Sequence, residues 1–142
     1  MVKITSPIFD DVLLVYRETW QLKYRDKHLK LDVKVFEVLM SLFPFLEQEK
    51  SVYIEIIASE AMEAINSFPV KEIIEAGFVH DIPYWVKLAV EWLDNEDNED
   101  NEDNNDLNVY FSNYLKNILN NKVYEQRTRQ MAEKILKRIS ER

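Results

Sequence analysis

Apolar residues recur along most of this chain at intervals of three and four, the spacing that gathers them on one face of an α-helix. Ser6 followed by Pro7 reads as a helix start: a capping hydroxyl, then a first-turn proline whose missing N–H costs nothing, with Asp10 and Asp11 where the dipole favours anions. Phe9, Val12, Leu13, Tyr16 and Trp20 follow at the helical period, which predicts a first helix from about residue 8 to about residue 24. Asp32 can cap a second helix whose apolar residues Val35, Phe36, Val38, Leu39, Met40, Leu42 and Phe43 leave almost no polar face before Pro44 stops it. Ser51 opens a third, with Ile54, Ile57, Ala58, Ala61, Ile65 and Phe68 in one stripe and Glu55, Glu60 and Glu63 outside it. Pro69 to Ala76 reads as a short fourth helix closed by Gly77 in the left-handed cap position. Asp81 and Pro83 restart the chain into a fifth carrying Trp85, Leu88, Ala89 and Trp92. Asp106 caps a sixth with Phe111, Tyr114, Leu115 and Ile118, ended by Asn120 and Asn121, and a seventh buries Met131, Ala132, Ile135, Leu136 and Ile139.

Three of these helices carry an alanine four residues before an aliphatic: Ala61 with Ile65, Ala89 with Leu93, Ala132 with Leu136. The alanines are 28 and 43 residues apart, and the second interval falls to 30 once residues 94–106 are set aside. Stacked helix pairs produce a repeat of that length, because one pair cannot bury its own face. The segments EIIASEAMEAI, YWVKLAVEWL and RTRQMAEKILKRI also resemble the second helix of a HEAT-type repeat, with a small residue at the tight crossing and aliphatics one turn on. The resemblance covers about two-thirds of the chain, lacks the family's Asp-x-x-Val-Arg turn, and implies a solenoid-like stack of helix pairs.

Composition sharpens this picture. The chain has 142 residues, room for one domain with a core of its own, and no cysteine, so disulfides and thiolate chemistry are ruled out and a reducing, cytoplasmic setting is expected. One glycine in 142 residues removes the positive-φ positions that hairpins, phosphate loops and nucleophile elbows need, so the chain is expected to be helical nearly throughout. No leader-like or membrane-spanning apolar run is evident. Residues 94–106 read DNEDNEDNEDNND, with eight carboxylates that equal the whole net charge of −8; with nothing apolar to bury, this tract is expected to be a disordered acidic loop between the fifth and sixth helices. The rest is neutral but polarised: residues 1–34 carry +2, residues 35–93 carry −7, and residues 107–142 carry +5.

Catalytic equipment is sparse. His28 and His80 stand 52 residues apart with no second ligand at helical spacing, so no metal site or other cofactor is expected. Glu60, Glu63 and Glu91 can form a carboxylate cluster, but a solvated face explains them without any acid–base role. No serine has the histidine or strained turn a nucleophile needs.

Two surfaces remain. The acidic middle segment interleaves its carboxylates with Tyr53, Phe78, Tyr84, Trp85 and Trp92, a pattern suited to a basic protein partner: charges steer the encounter and rings supply the buried anchor. Glu60, Glu63, Tyr84, Glu91 and Trp92 are the residues assigned to it. In the last helix Arg127, Lys134 and Arg138 line one flank, beside the ordered pair Glu133 and Lys137, and such a stripe can follow a phosphate backbone. The expectation is therefore an all-α protein of about seven helices in antiparallel pairs, a short solenoid-like array or irregular bundle. It acts as a non-enzymatic binding module, in its sharpest version an inhibitor or immunity-type protein that masks a basic toxin; the alternative is a nucleic-acid accessory using the basic last helix.

Overall fold

The computed structural model describes residues 1–97 and 104–141. Its first quarter overturns the all-α expectation. Four strands, β1 (Val2–Thr5), β2 (Val12–Tyr16), β3 (Trp20–Tyr24) and β4 (Lys27–Leu29), form an antiparallel meander in chain order. The segment predicted as the first helix is a β-hairpin, and the reason is periodicity two. Val2, Ile4, Val12, Leu14, Trp20 and Leu22 are all buried, and the register Ile4↔Leu14↔Leu22 with Tyr16↔Trp20 sets them on one face. Phe9, which the helical reading placed in the core, is 42% exposed. Valine, tyrosine and tryptophan also pack well on a pleated surface, which tips so short a segment toward strand.

Scarcity of glycine did not forbid the hairpins. Arg25 takes the positive φ of 55° at the β3–β4 turn, where its amide donates to the Asp11 carbonyl at 3.1 Å and its guanidinium pairs with the Asp11 carboxylate at 3.4 Å. Ser6 does cap backbone N–H groups, but those of Ile8 (3.3 Å) and Phe9 (3.2 Å) in the loop between β1 and β2.

Seven α-helices follow among the described residues: α1 (Phe36–Leu42), α2 (Lys50–Glu60), α3 (Val70–His80), α4 (Pro83–Asp97), α5 (Asn104–Tyr110), α6 (Ser112–Leu119) and α7 (Gln126–Ser140), with 3-10 turns at Phe43–Glu47 and Met62–Ala64. Pro44 ends α1 as expected, by tightening the chain into the first of these turns. Helix α2 stops at Glu60, where Ala61 is extended (φ −158°), so the predicted stripe through Phe68 is broken and only Tyr53 and Ile57 of α2 are buried. The sheet's inner face joins the helices in one core: the Trp20 indole donates to the Ala64 carbonyl at 3.1 Å and meets Phe68 edge-on at 5.4 Å.

Gly77 does not close a short helix. It lies inside α3, which runs three residues further, and the left-handed residue is Asp81 (φ 62°). A bare Cα is required at 77 for packing: a Cβ there would stand 2.5 Å from Leu46 Cδ1, 3.0 Å from Ala89 Cβ and 3.1 Å from the Trp85 carbonyl. Helices α3 and α4 cross at this point, joined by Asp81 and Ile82 alone.

The acidic tract enters helices at both ends, since α4 continues through Asp97 and α5 begins at Asn104, ahead of the expected cap at Asp106. Residues 98–103, the middle of the expected disordered loop, lie outside the described residues. Cations from elsewhere explain the extension of α4. Asp94 pairs with Arg138 at 2.9 Å and Glu96 pairs with Lys50, and both carboxylates are buried. The chain breaks again at Phe111, fully buried between α5 and α6, before α7 packs Thr128, Ala132 and Ile135 inward. No helix among the described residues is long and apolar enough to cross a membrane.

Candidate partner-binding surface

The turn between α3 and α4 gathers what the middle segment offers. Pro83 starts α4, so Tyr84 sits in its first turn, 46% exposed. Its hydroxyl donates to both carboxylate oxygens of Glu47, at 2.8 and 2.7 Å, from the end of the first 3-10 turn. That bond, followed by partial burial and the negative charges of Glu47 and Glu91, raises the Tyr84 pKa. The ring also stands edge-on to Trp85 at 5.0 Å. Val79 and Ile82, which flank the turn in sequence, and Val123, which precedes Tyr124, are also exposed.

Tyr124 ties the far side of this surface to the turn. Its hydroxyl donates to Asp81 Oδ1 at 2.8 Å, and burial first, then the bond and charge of Asp81, push its pKa up to about 12. Between them opens a cleft of about 340 Å³ lined by Phe78, Asp81, Val86, Tyr114, Asn117 and Tyr124, among others. Tyr114 stacks on Phe78 with centroids 5.0 Å apart, which fixes its ring.

The residues assigned from sequence do not converge on one site. Tyr84 and Glu91 belong to this surface. Trp92 does not: it is 4% exposed, its indole donates to the Gln48 carbonyl at 3.2 Å, and its ring packs 6.1 Å from Tyr53. Glu60 and Glu63 are exposed at the end of α2 and in the second 3-10 turn, and no described hydrogen bond or ion pair joins them to Tyr84 or Glu91. Sequence reasoning missed Glu47, Asp81 and Tyr124. Asp81 carried a signal, since Asp is among the few residues that tolerate a left-handed helix terminus.

The basic stripe is also divided. Arg127 and Lys134 are exposed on α7, whereas the Arg138 guanidinium is held by Asp94 and its side chain is only 24% exposed. Lys137 and Glu133 form the expected i, i+4 pair at 3.3 Å. His28 is exposed on β4; His80 stacks on Phe43, centroids 4.0 Å apart and nearly parallel. Among the described residues no three histidine or carboxylate side chains converge on a metal-sized point.

A second exposed apolar feature lies in the N-terminal third of the chain. Phe36 is 71% exposed and borders a cleft of about 360 Å³ with Phe9, Val12, Tyr24 and Met40. No protein family, characterised protein or solved structure matches this chain.

Proposed function

We propose that this protein is a non-enzymatic binding module that engages a basic protein partner through the α3–α4 turn. The observation that carries the reading is the exposed Tyr84 held against Glu47 with Glu91 nearby: an aromatic ring, presented in a fixed orientation, inside a negative field. Fixing the ring before contact lowers the ordering cost of binding, and the carboxylates steer the encounter. An inhibitor or immunity-type protein that masks the basic surface of a toxin is the sharpest form of this reading, acting in the cytoplasm, the setting that fits a chain without cysteine.

Glu60 and Glu63 belong to this proposal as outlying steering charges, while Trp92 acts only by supporting α4 from within. The nucleic-acid alternative is weaker, because the Arg138 side chain is already engaged by Asp94 and leaves Arg127 and Lys134 as the exposed part of the stripe.

The test begins with the partner co-purified from the native cell, followed by association kinetics at low and physiological salt. Glu47→Lys with Glu91→Lys should slow association at low salt by about tenfold or more, and Tyr84→Ala should speed dissociation. Reversal at Glu60 and Glu63 should have a smaller effect on the on-rate. Association rates unchanged in all of these variants would remove the proposal. Binding of a generic duplex at low salt, lost in Arg127→Glu with Lys134→Glu, would favour the alternative.

A further inference from the structure

We infer that the cleft between the α3–α4 turn and α6 is a binding site for an alkylammonium group, the chemistry of a lysine side chain or a free amine. The inference deepens the partner reading and rests on it for the identification of lysine as the natural source; the cleft's own chemistry stands separately.

Among the described residues that line the cleft, Asp81 is the one charged group, and none is a lysine or arginine. The rest of the wall is aromatic or aliphatic, Phe78, Val86, Tyr114, Ile118 and Tyr124, with Asn117 as a neutral polar group. A carboxylate set among rings is matched by an organic cation: the charge meets the carboxylate, and the methylenes and ammonium protons meet π-faces. An anion would be repelled, and a neutral ligand would forgo the one charged contact.

The choice of ammonium over guanidinium follows from how Asp81 is held. Tyr124 already donates to Oδ1, at 2.8 Å, while no described group donates to Oδ2. A guanidinium gains most from a two-pronged contact with both oxygens, and here it would have to share Oδ1 with the Tyr124 hydroxyl. An ammonium is a compact point charge and needs only one. The backbone supports the same assignment. Asp81 stands at φ 62°, an uncommon conformation for a residue with a side chain, locked in place by the Tyr124 bond, so the carboxylate is aimed before any ligand arrives.

The experiment is a titration of the ¹⁵N-labelled full chain, followed by amide shifts, with Nα-acetyl-lysine N-methylamide, its arginine counterpart, the Nε-acetylated lysine derivative and butylammonium as probes. The lysine probe should move amides of residues 79–82 and 114–124 saturably, and the arginine and neutral probes should bind several-fold more weakly. Asp81→Asn is the decisive variant, because asparagine tolerates the left-handed backbone and still accepts from Tyr124 while the charge is lost. It should keep the wild-type spectrum elsewhere and weaken the lysine probe by about tenfold, on the order of 1.4 kcal/mol. Tyr114→Leu should weaken it too. No saturable shift in the wild type, equal affinity in Asp81→Asn, or tighter binding of the arginine probe would each overturn the inference. A lysine-bearing peptide binding more tightly than butylammonium assigns the site to a protein partner, and equal affinities assign it to a free amine. If the cleft binds ammonium while reversal of Glu47 and Glu91 leaves partner association untouched, the site survives and the docking surface does not.

Discussion

Replacing Gly77 with alanine sets two effects of similar size against each other. In a helix interior the change should stabilise by about 1 kcal/mol, since glycine surrenders more backbone freedom than alanine. Against it stands the space the new methyl must occupy, 2.5 Å from Leu46 Cδ1, 3.0 Å from Ala89 Cβ and 3.1 Å from the Trp85 carbonyl oxygen. None of these neighbours can yield easily: Leu46 is 1% exposed, Ala89 is 0% exposed, and the third is main chain. Overpacking a closed core costs about 1–3 kcal/mol, and immobile neighbours place this case near the upper end. The expected net loss is therefore about 2 kcal/mol, or roughly 6 °C in Tm for a chain of this size. Loss alone does not prove the cause, because alanine in a left-handed cap would cost about 1–2 kcal/mol as well. The discriminating variant is Leu46→Val in the Gly77→Ala background. Valine reaches one carbon less far than leucine and has no Cδ1, which relieves the packing clash at that atom and leaves any backbone conformational strain untouched, so a double-mutant cycle by urea unfolding should give a coupling of about 1 kcal/mol or more in the restoring direction. A stabilised Gly77→Ala protein, or a coupling near zero, would refute the account of the α3–α4 crossing.

The tyrosines set an alkaline limit. In the fold the Tyr124 pKa is pushed up to about 12, chiefly by burial, and that of Tyr53 is raised by burial and by Glu47, above the ordinary tyrosine value of 10.0 at which both ionise when unfolded. A raised pKa in the folded state means stability is whole below about pH 10 and is lost as pH climbs through the folded values, so urea midpoints should fall between pH 10 and 11.5, less steeply in Tyr124→Phe. Lys50→Met removes a cation paired with Glu96, whose side chain is 6% exposed, and should cost about 1–3 kcal/mol by chemical denaturation. Arg138→Gln should cost about 1–2 kcal/mol through Asp94, while Arg127→Gln should stay within about 0.5 kcal/mol, separating a structural arginine from a surface one. Phe36→Ser, at a position 71% exposed, should likewise leave Tm within about 2 °C.

Much of the helical part was legible in the chain. Strong periodicity located α4 and α7, Pro44 marked the end of α1, and the pair Glu133–Lys137 formed as its order predicted. These are local properties, determined by which side chains share a face and by what proline does to its own backbone. The proposed docking surface draws on the sequence's pattern of carboxylates among aromatics, but takes in only part of the residues assigned from it. Tyr84 and Glu91 lie on it, but Glu47, Asp81 and Tyr124 join from 3-10 turn, helix cap and loop, and no spacing in the sequence announces that they meet.

The remaining decisions belong to long-range contact. Residues 9–24 satisfy a helical template and a strand template alike, and the burial of Val2 and Ile4 against Leu14 and Leu22 selects the sheet. Gly77 fits a helix cap by its local context, yet Leu46, 31 positions earlier, makes it a packing glycine. Asp94 and Glu96 look like the start of a solvated tract until Arg138 and Lys50 arrive to neutralise them. In each case the local free-energy difference between alternatives is on the order of 1 kcal/mol, which one buried contact with a distant residue exceeds. Sequence alone therefore determined where helices were strongly favoured and how charge was distributed, and tertiary packing chose among the states that local preference left nearly equal.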